Sequence, residues 1–357
     1  MKMQTRIGYS TALFCKYFNF ITMTDASHSH LFNSHTTSLL EAVAILPVNT
    51  PFKMDKREHQ VSFATIANSN LVAKLVMFGE VNWHALFELM AKLDNKSLSV
   101  QIKRPSEALA GAVVVALSEQ LALQEQQALM KWAEEVEVEL CYVDSSITIE
   151  QPGLIVMDMD STAIEIECID EIAKLAGVGE QVAKVTAQAM RGELDFAESL
   201  RARVATLKDA PISIIDEVAN NLPLMPGLEN LVAALQQKNW KVVIASGGFT
   251  YMTDKLKQQL GLDKTVANQL GMTSDKLTGE VHGAIVDAQT KADTVLELAQ
   301  EWGIPLSQTI AMGDGANDLV MMKAAELGVA FHAKPLVREQ ADVSVRNGGL
   351  DQLLYLI

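Results

Sequence analysis

The chain has 357 residues, more than one ordinary compact domain holds and enough for two; 49% are apolar and 20% charged, the balance of a globular protein. Lysine and arginine number 29 against 44 aspartates and glutamates, a formal net charge of −15 that repels phosphate backbones and argues against nucleic acid as a partner. Such a surface does not steer an anionic substrate either, so any phosphate site must carry its own local positive charge.

At the N-terminus Lys2 and Arg6 precede a fairly apolar run over residues 9–23. Lys16 interrupts that run and no small-residue cleavage pattern follows, so residues 1–40 are expected to be a poorly ordered extension. No apolar stretch reaches the ~18 residues of a spanning helix, and no membrane partner is expected. The three cysteines, Cys15, Cys141 and Cys168, are widely spaced and odd in number, which speaks against a disulfide framework and for a reducing cytoplasm.

Residues 41–150 read as a first folded unit. Apolar runs predict strands at 71–79, 98–102, 112–117 and 138–143, and 3.6-residue spacing predicts helices over 83–93 and 124–136. The order βαββαβ is that of an α+β ferredoxin-like module, the arrangement of many small amino-acid-sensing domains. Two roles stay open: a packing module through which the chain forms a homodimer, and a sensor of an amino acid. No cluster of charged or aromatic residues in it singles out a ligand.

A second unit is expected over 151–357. Continuous apolar runs at 154–157, 242–245, 309–312 and 329–331 have the character of strands buried on both faces. Helical patterns at 228–238, 251–260, 293–302 and 319–326 separate them, which predicts an α/β fold with a doubly wound parallel sheet. From about 165 to 226 the chain shows helical periodicity without a strand, an insertion placed to cap the site. Residues 265–283 predict a small antiparallel hairpin flanking the sheet.

Chemistry-bearing residues fall where those strands end. Asp158-Met159-Asp160-Ser161-Thr162 follows the first, with two carboxylates at i and i+2. One can attack phosphorus while the other protonates the leaving oxygen and later activates water. Gly313-Asp314-Gly315-Ala316-Asn317-Asp318 follows another core strand and completes an all-oxygen site suited to Mg2+. Ser246-Gly247-Gly248 ends a third strand and offers a hydroxyl and backbone amides to phosphate oxygens. Lys291 lies just before the helix expected from 293, where a cation opposes the helix dipole and a phosphate partner would account for its placement.

In order and strand context these four motifs resemble those of the haloacid dehalogenase superfamily. The resemblance extends, over residues 153–345, to its members that hydrolyse phosphoserine. It implies Asp158 as nucleophile and Asp160 as acid and base. It implies Mg2+ held by Asp158, the backbone carbonyl of Asp160 and Asp314, with Asp318 supporting the metal. Ser246, Gly247 and Lys291 would grip the phosphate, Asn317 would lie near the substrate, and Glu167 and Arg203 would hold the serine moiety. Free serine, the product of serine biosynthesis, would then be released. The alternative within the same superfamily is a phosphatase or phosphotransferase acting on another small phosphomonoester.

The substrate has a separate physical handle. In the helix expected over 196–207, Phe196, Leu200, Val204 and Leu207 form an apolar face, and Arg203 sits on or beside it. A guanidinium there is costly unless paired, and Glu167 supplies an opposite charge near the same cleft. A cation and an anion beside a phosphate pocket fit a zwitterionic amino-acid phosphate, with Met190 and Phe196 as its walls.

Overall fold

The computed structural model describes residues 111–357 throughout; before them it describes residues 21–22, 31–32, 52–55, 60–63, 72–79, 81, 83–93, 97–105 and 109. The chain divides into two compact units, residues 1–144 and 145–355. The extension expected over 1–40 lies outside the described residues, apart from β1 (Ile21–Thr22) and β2 (Leu31–Phe32), which pair antiparallel.

The first unit holds β3 (Phe52–Asp55), β4 (Gln60–Phe63), β5 (Ala73–Phe78), α1 (Trp83–Lys92), β6 (Ser97–Lys103), β7 (Ala112–Leu117), α2 (Leu123–Glu135) and β8 (Glu139–Val143). The last four strands with their two helices are the βαββαβ order, in an antiparallel sheet running β6-β7-β5-β8. Ala73, Leu75 and Met77, alternate residues of β5, share one core with Leu86, Leu89 and Leu93 around α1 and with Leu129, Trp132 and Ala133 of α2. Period 2 meets period 3.6 there, as a ferredoxin-like module requires. The β3–β4 hairpin adds two strands beyond β6, which the sequence pattern did not reveal: four-residue strands are too short to show a period.

The second unit is built on β9 (Leu154–Met157), β10 (Lys241–Phe249), β11 (Lys264–Met272), β12 (Leu277–His282), β13 (Thr309–Gly313), β14 (Leu327–Phe331) and β15 (Val343–Val345), in the order β12-β11-β10-β9-β13-β14-β15. All pairings are parallel except that of the edge strand β12. The hairpin expected beside the sheet is thus part of it, because β11 continues the parallel ladder from β10 before β12 turns back. Strand order grows outward in both directions from β9, so the switch point lies between β9 and β13, where such sheets place their sites.

Between β9 and β10 the chain forms α3 (Cys168–Leu175), α4 (Gly179–Met190), α5 (Phe196–Ala205) and α6 (Ile212–Asn220), and then α7 (Leu228–Gln237); α8 (Thr250–Leu260) follows β10. The insertion leaves and re-enters the core through a paired stem. Ile164 bridges Leu224, the Glu165 amide donates to the Pro223 carbonyl at 2.9 Å, and the Met225 amide donates to the Ala163 carbonyl at 2.9 Å. Its far side is tied to the edge hairpin, where Ala210 and Leu277 and then Pro211 and Lys276 pair.

Candidate active site

Asp158 is the first residue beyond β9, and its amide donates to the Met312 carbonyl of β13 at 2.9 Å, which fixes the strand end. Its side chain is buried at 6% exposure, with Oδ1 accepting from the Met159 amide at 2.7 Å. The chain then turns sharply. Asp160 keeps extended backbone angles while Ser161 takes φ 54°, a left-handed conformation rare for a side-chain-bearing residue. The Ser161 hydroxyl donates to Glu167 Oε1 at 2.9 Å, holding the first residue of the insertion's leading helix turn against the loop.

Lys291 comes from α9 (Ala288–Glu301), which packs Val295, Leu298 and Ala299 on Leu154, Val156, Val243, Ala245 and Ala311 of the sheet. Lys291 lies one turn before Val295 and so shares that inward face. The helix begins five residues earlier than its apolar pattern indicated, because Asp287 caps it: the Thr290 amide donates to Asp287 Oδ1 at 2.9 Å. Lys291 is therefore within the helix, 1% exposed, with Nζ 2.8 Å from Asp158 Oδ2 and 2.7 Å from Asp318 Oδ1. Where a phosphate partner was expected, the structure sets two carboxylates against the ammonium.

Asp314 and Asp318 follow β13. Asp318 is wholly buried and accepts the Gly315 amide at 3.0 Å; a side chain on Gly313 would collide with it, so glycine is needed there. The Thr162 hydroxyl lies 3.4 Å from Asp314 Oδ1. One oxygen each from Asp158, Asp314 and Asp318 falls within 4.8 Å of the others, a group that could hold a metal ion. Burial, then Asp158, push Asp318 up to about 7 despite Lys291, and burial, Asp158 and Glu167 push Asp314 up to about 6. Burial opposes the charge on Lys291, yet Asp158 and Asp318 overcome it and hold the ammonium well above its ordinary range. One lysine does not neutralise three adjacent carboxylates, and an all-oxygen donor set of this kind fits a hard cation.

Asp160 is raised well above the ordinary carboxyl range, first by burial and then by Glu167 and Asp158. Its Oδ1 is buried without a partner. Ser246, 1% exposed, lies within β10, which runs on through the glycines to Phe249 rather than ending at the motif; its Oγ accepts the Gly248 amide at 2.8 Å. A Cβ on Gly248 would come within 2.8 Å of Met159 and 3.5 Å of Asp160 Oδ2, and one on Gly247 within 2.7 Å of the Phe196 ring. The loop after β9, the glycine-containing stretch of β10 and the start of α5 therefore converge.

The structure brings Asp158, Asp160, Ser246, Gly247, Lys291, Asp314 and Asp318 together, with Phe196 against them. Arg203 is half-buried, its Nε has no partner, and burial lowers the guanidinium while Asp170, Glu167 and Asp160 pull it back. Glu167 and Asn317 are exposed, the latter with Nδ2 3.4 Å from Asp318 Oδ1. Met190, expected as a pocket wall, is 74% exposed as the last residue of α4: a helix end projects its final side chain past the packed face. Sequence reasoning missed Asn268, whose side chain reaches the Gly247 carbonyl, because nothing in an apolar strand pattern marks one polar residue as functional.

Fold and site define the class, a hydrolase with a haloacid dehalogenase-like core, and residues 152–326 match the model of that hydrolase family. A phosphoserine phosphatase of Vibrio cholerae is 46% identical over 319 residues, covering 89% of this chain and 94% of that protein. One from Haemophilus influenzae is 57% identical over 228 residues, 64% of this chain and 73% of the relative. The unliganded crystal structure of a probable phosphoserine phosphatase from Vibrio cholerae matches with a TM-score of 0.70 at 43% identity, over 87% of this chain and 94% of its own. The chain belongs to the phosphoserine phosphatase family of the haloacid dehalogenase-like hydrolases.

Proposed function

We propose that this chain hydrolyses phosphoserine to serine and phosphate through a phospho-aspartate on Asp158, with Mg2+ as its metal. The observation that carries the reading is the buried Asp158 carboxylate at the switch point, ion-paired to Lys291 and flanked by Asp314 and Asp318. Solved relatives include a phospho-aspartyl intermediate analogue and a substrate-bound complex of phosphoserine phosphatase, 41% and 40% identical, each with a TM-score of 0.55 over 58% of this chain.

In the first step a carboxylate oxygen of Asp158 bonds to phosphorus as the bond to the serine oxygen breaks. Asp160, held protonated by burial and its acidic neighbours, gives its proton to that oxygen. In the second step Asp160 takes a proton from water, whose oxygen bonds to phosphorus and frees Asp158. Lys291 stays charged throughout and opposes the negative charge on the phosphoryl oxygens. Asp158, Asp314 and the backbone carbonyl of Asp160 would hold Mg2+, supported by Asp318, and the ion would supply Lewis-acid neutralisation of phosphate charge.

Arg203 pairs with the substrate carboxylate, which would satisfy its orphaned Nε, and Glu167 pairs with the amine. Ser246 and Gly247 grip the phosphate, Asn317 stands at the rim, and Phe196 closes the pocket. The released serine places the reaction at the last step of serine biosynthesis. Cys141 and Cys168, both buried and outside any disulfide, suit a reducing cytoplasm. The ferredoxin-like module serves to pair two copies of the chain.

Phosphate release from phosphoserine, phosphoethanolamine, phosphoglycolate and sugar phosphates, with Mg2+ or with EDTA, tests this. Phosphoserine should be turned over fastest and EDTA should stop it. A different preferred ester would move the chain to another substrate within the same chemistry.

A further inference from the structure

Asn268 stands at the middle of β11, opposite Phe249 of β10, and is 1% exposed. A buried carboxamide costs free energy unless each end is satisfied, and here each end has one partner. Its Nδ2 donates to the Gly247 carbonyl at 2.9 Å, and its Oδ1 accepts the Val286 amide at 2.9 Å. A carbonyl accepts and an amide donates, so the two partners fix which end of the side chain is which.

Both partners are backbone groups of segments that carry phosphate-site residues. Val286 immediately precedes Asp287, the cap of α9, and the Lys291 amide donates to the Asp287 carbonyl at 3.0 Å. On the other side, the carbonyl of Gly247 and the N–H of Gly248 belong to one planar peptide and point in opposite directions. With the carbonyl drawn toward Asn268, the Gly248 N–H faces Ser246 Oγ at 2.8 Å. That bond occupies an acceptor position of the Ser246 hydroxyl and leaves its own proton free to donate. Glycine at 247 and 248 leaves the peptide without side-chain constraint, so an external partner must set its plane.

We propose that Asn268 is a positioning residue for phosphate binding, locking the Gly247–Gly248 peptide and the entry to the Lys291 helix into one register. This rests on the assignment of Ser246, Gly247 and Lys291 to the phosphate grip. Asn268 touches no substrate itself.

Asn268→Asp tests it in the full-length chain. The carboxylate still accepts from Val286 but sets an anionic oxygen against the Gly247 carbonyl, which turns that peptide away. Three quantities are measured: KM and kcat for phosphoserine, competitive inhibition by inorganic phosphate, and the rise in Tm that inorganic phosphate with Mg2+ induces. KM and the phosphate inhibition constant should each rise about tenfold, the scale of one lost oriented hydrogen bond, and the phosphate-induced rise in Tm should shrink. Asn268→Ser, too short to span both partners, should move the same quantities the same way, and it decides the matter if the aspartate variant does not fold. A lower Tm with an unchanged inhibition constant and an unchanged phosphate-induced rise would assign Asn268 to fold stability alone and overturn the proposal, as would failure of both variants to fold. A wild-type chain that releases no phosphate from phosphoserine would instead overturn the underlying reading.

Discussion

The end of the sheet and the helical insertion leave their charged side chains in opposite states. At the sheet end, Asp158, Lys291 and Asp318 are 6%, 1% and 0% exposed and bonded to one another. In the insertion, Glu167, Met190 and Phe196 are exposed and the Arg203 Nε is buried without a partner. In the first region the ammonium and two of the carboxylates answer one another inside the core. The second is left unsatisfied until a ligand fills it. On the proposed reading, chemistry is built into the core, and selection falls to residues whose partners the substrate brings.

The contrast is broken most directly at its buried pole. Asp158→Asn should remove turnover of every ester alike, by a factor on the order of 10⁴ or more in kcat, because the amide keeps the volume and loses the nucleophile. Near-normal phosphate release from the folded variant would sink the covalent route. Lys291→Met should be the costliest change to stability, about 3–5 kcal/mol in denaturant unfolding, since it strands two buried carboxylates. A variant as stable as the wild type would show that the ion pair is replaceable in this core.

At the selective pole the effects should depend on the ester. Arg203→Ala should lower kcat/KM for phosphoserine by about 2–5 kcal/mol while phosphoethanolamine, which lacks a carboxylate, suffers far less. Glu167→Gln should spare phosphoglycolate and hurt the amine-bearing esters, more weakly because Glu167 is exposed. Ratios between esters cancel general damage, so equal losses across all three would reduce both residues to braces of the insertion.

The smallest expected effect is a pH slope. Asp314 and Asp318 titrate in the fold at about 6 and about 7, above the ordinary 3.8, so the metal-free fold holds protons that the unfolded chain has released. That stability is fully present below about pH 4 and is lost as the pH rises through 6 and 7. Thermal unfolding in EDTA should therefore show Tm falling between about pH 5 and 8, and Asp314→Asn should flatten part of that slope. A rising Tm across the window would mean that neither carboxyl is held protonated.

Much of this was legible in the chain. The apolar runs ending at Met157, Ala245 and Met312 are long-range features only in their pairing; as buried strands they are local, and so are the acidic and glycine-rich motifs that follow them. Strand order was not legible, because it depends on which distant strands pair; Asp314 was set beside Asp158 only by the resemblance of the motifs. The start of α9 was misplaced because a cap, not an apolar repeat, sets it.

By itself the sequence determined where the buried strands run and where the acidic and glycine-rich motifs stand along them, because polarity and period are carried by neighbours in the chain. Only the tertiary structure decided that Lys291 answers two carboxylates at once, that Arg203 is left with an unmet donor, and that Asn268 bridges two distant segments. Each of those is a matter of which partners share a buried volume. Such partners are 18 to more than 130 residues apart along the chain, and only packing, not sequence spacing, brings them within a hydrogen bond.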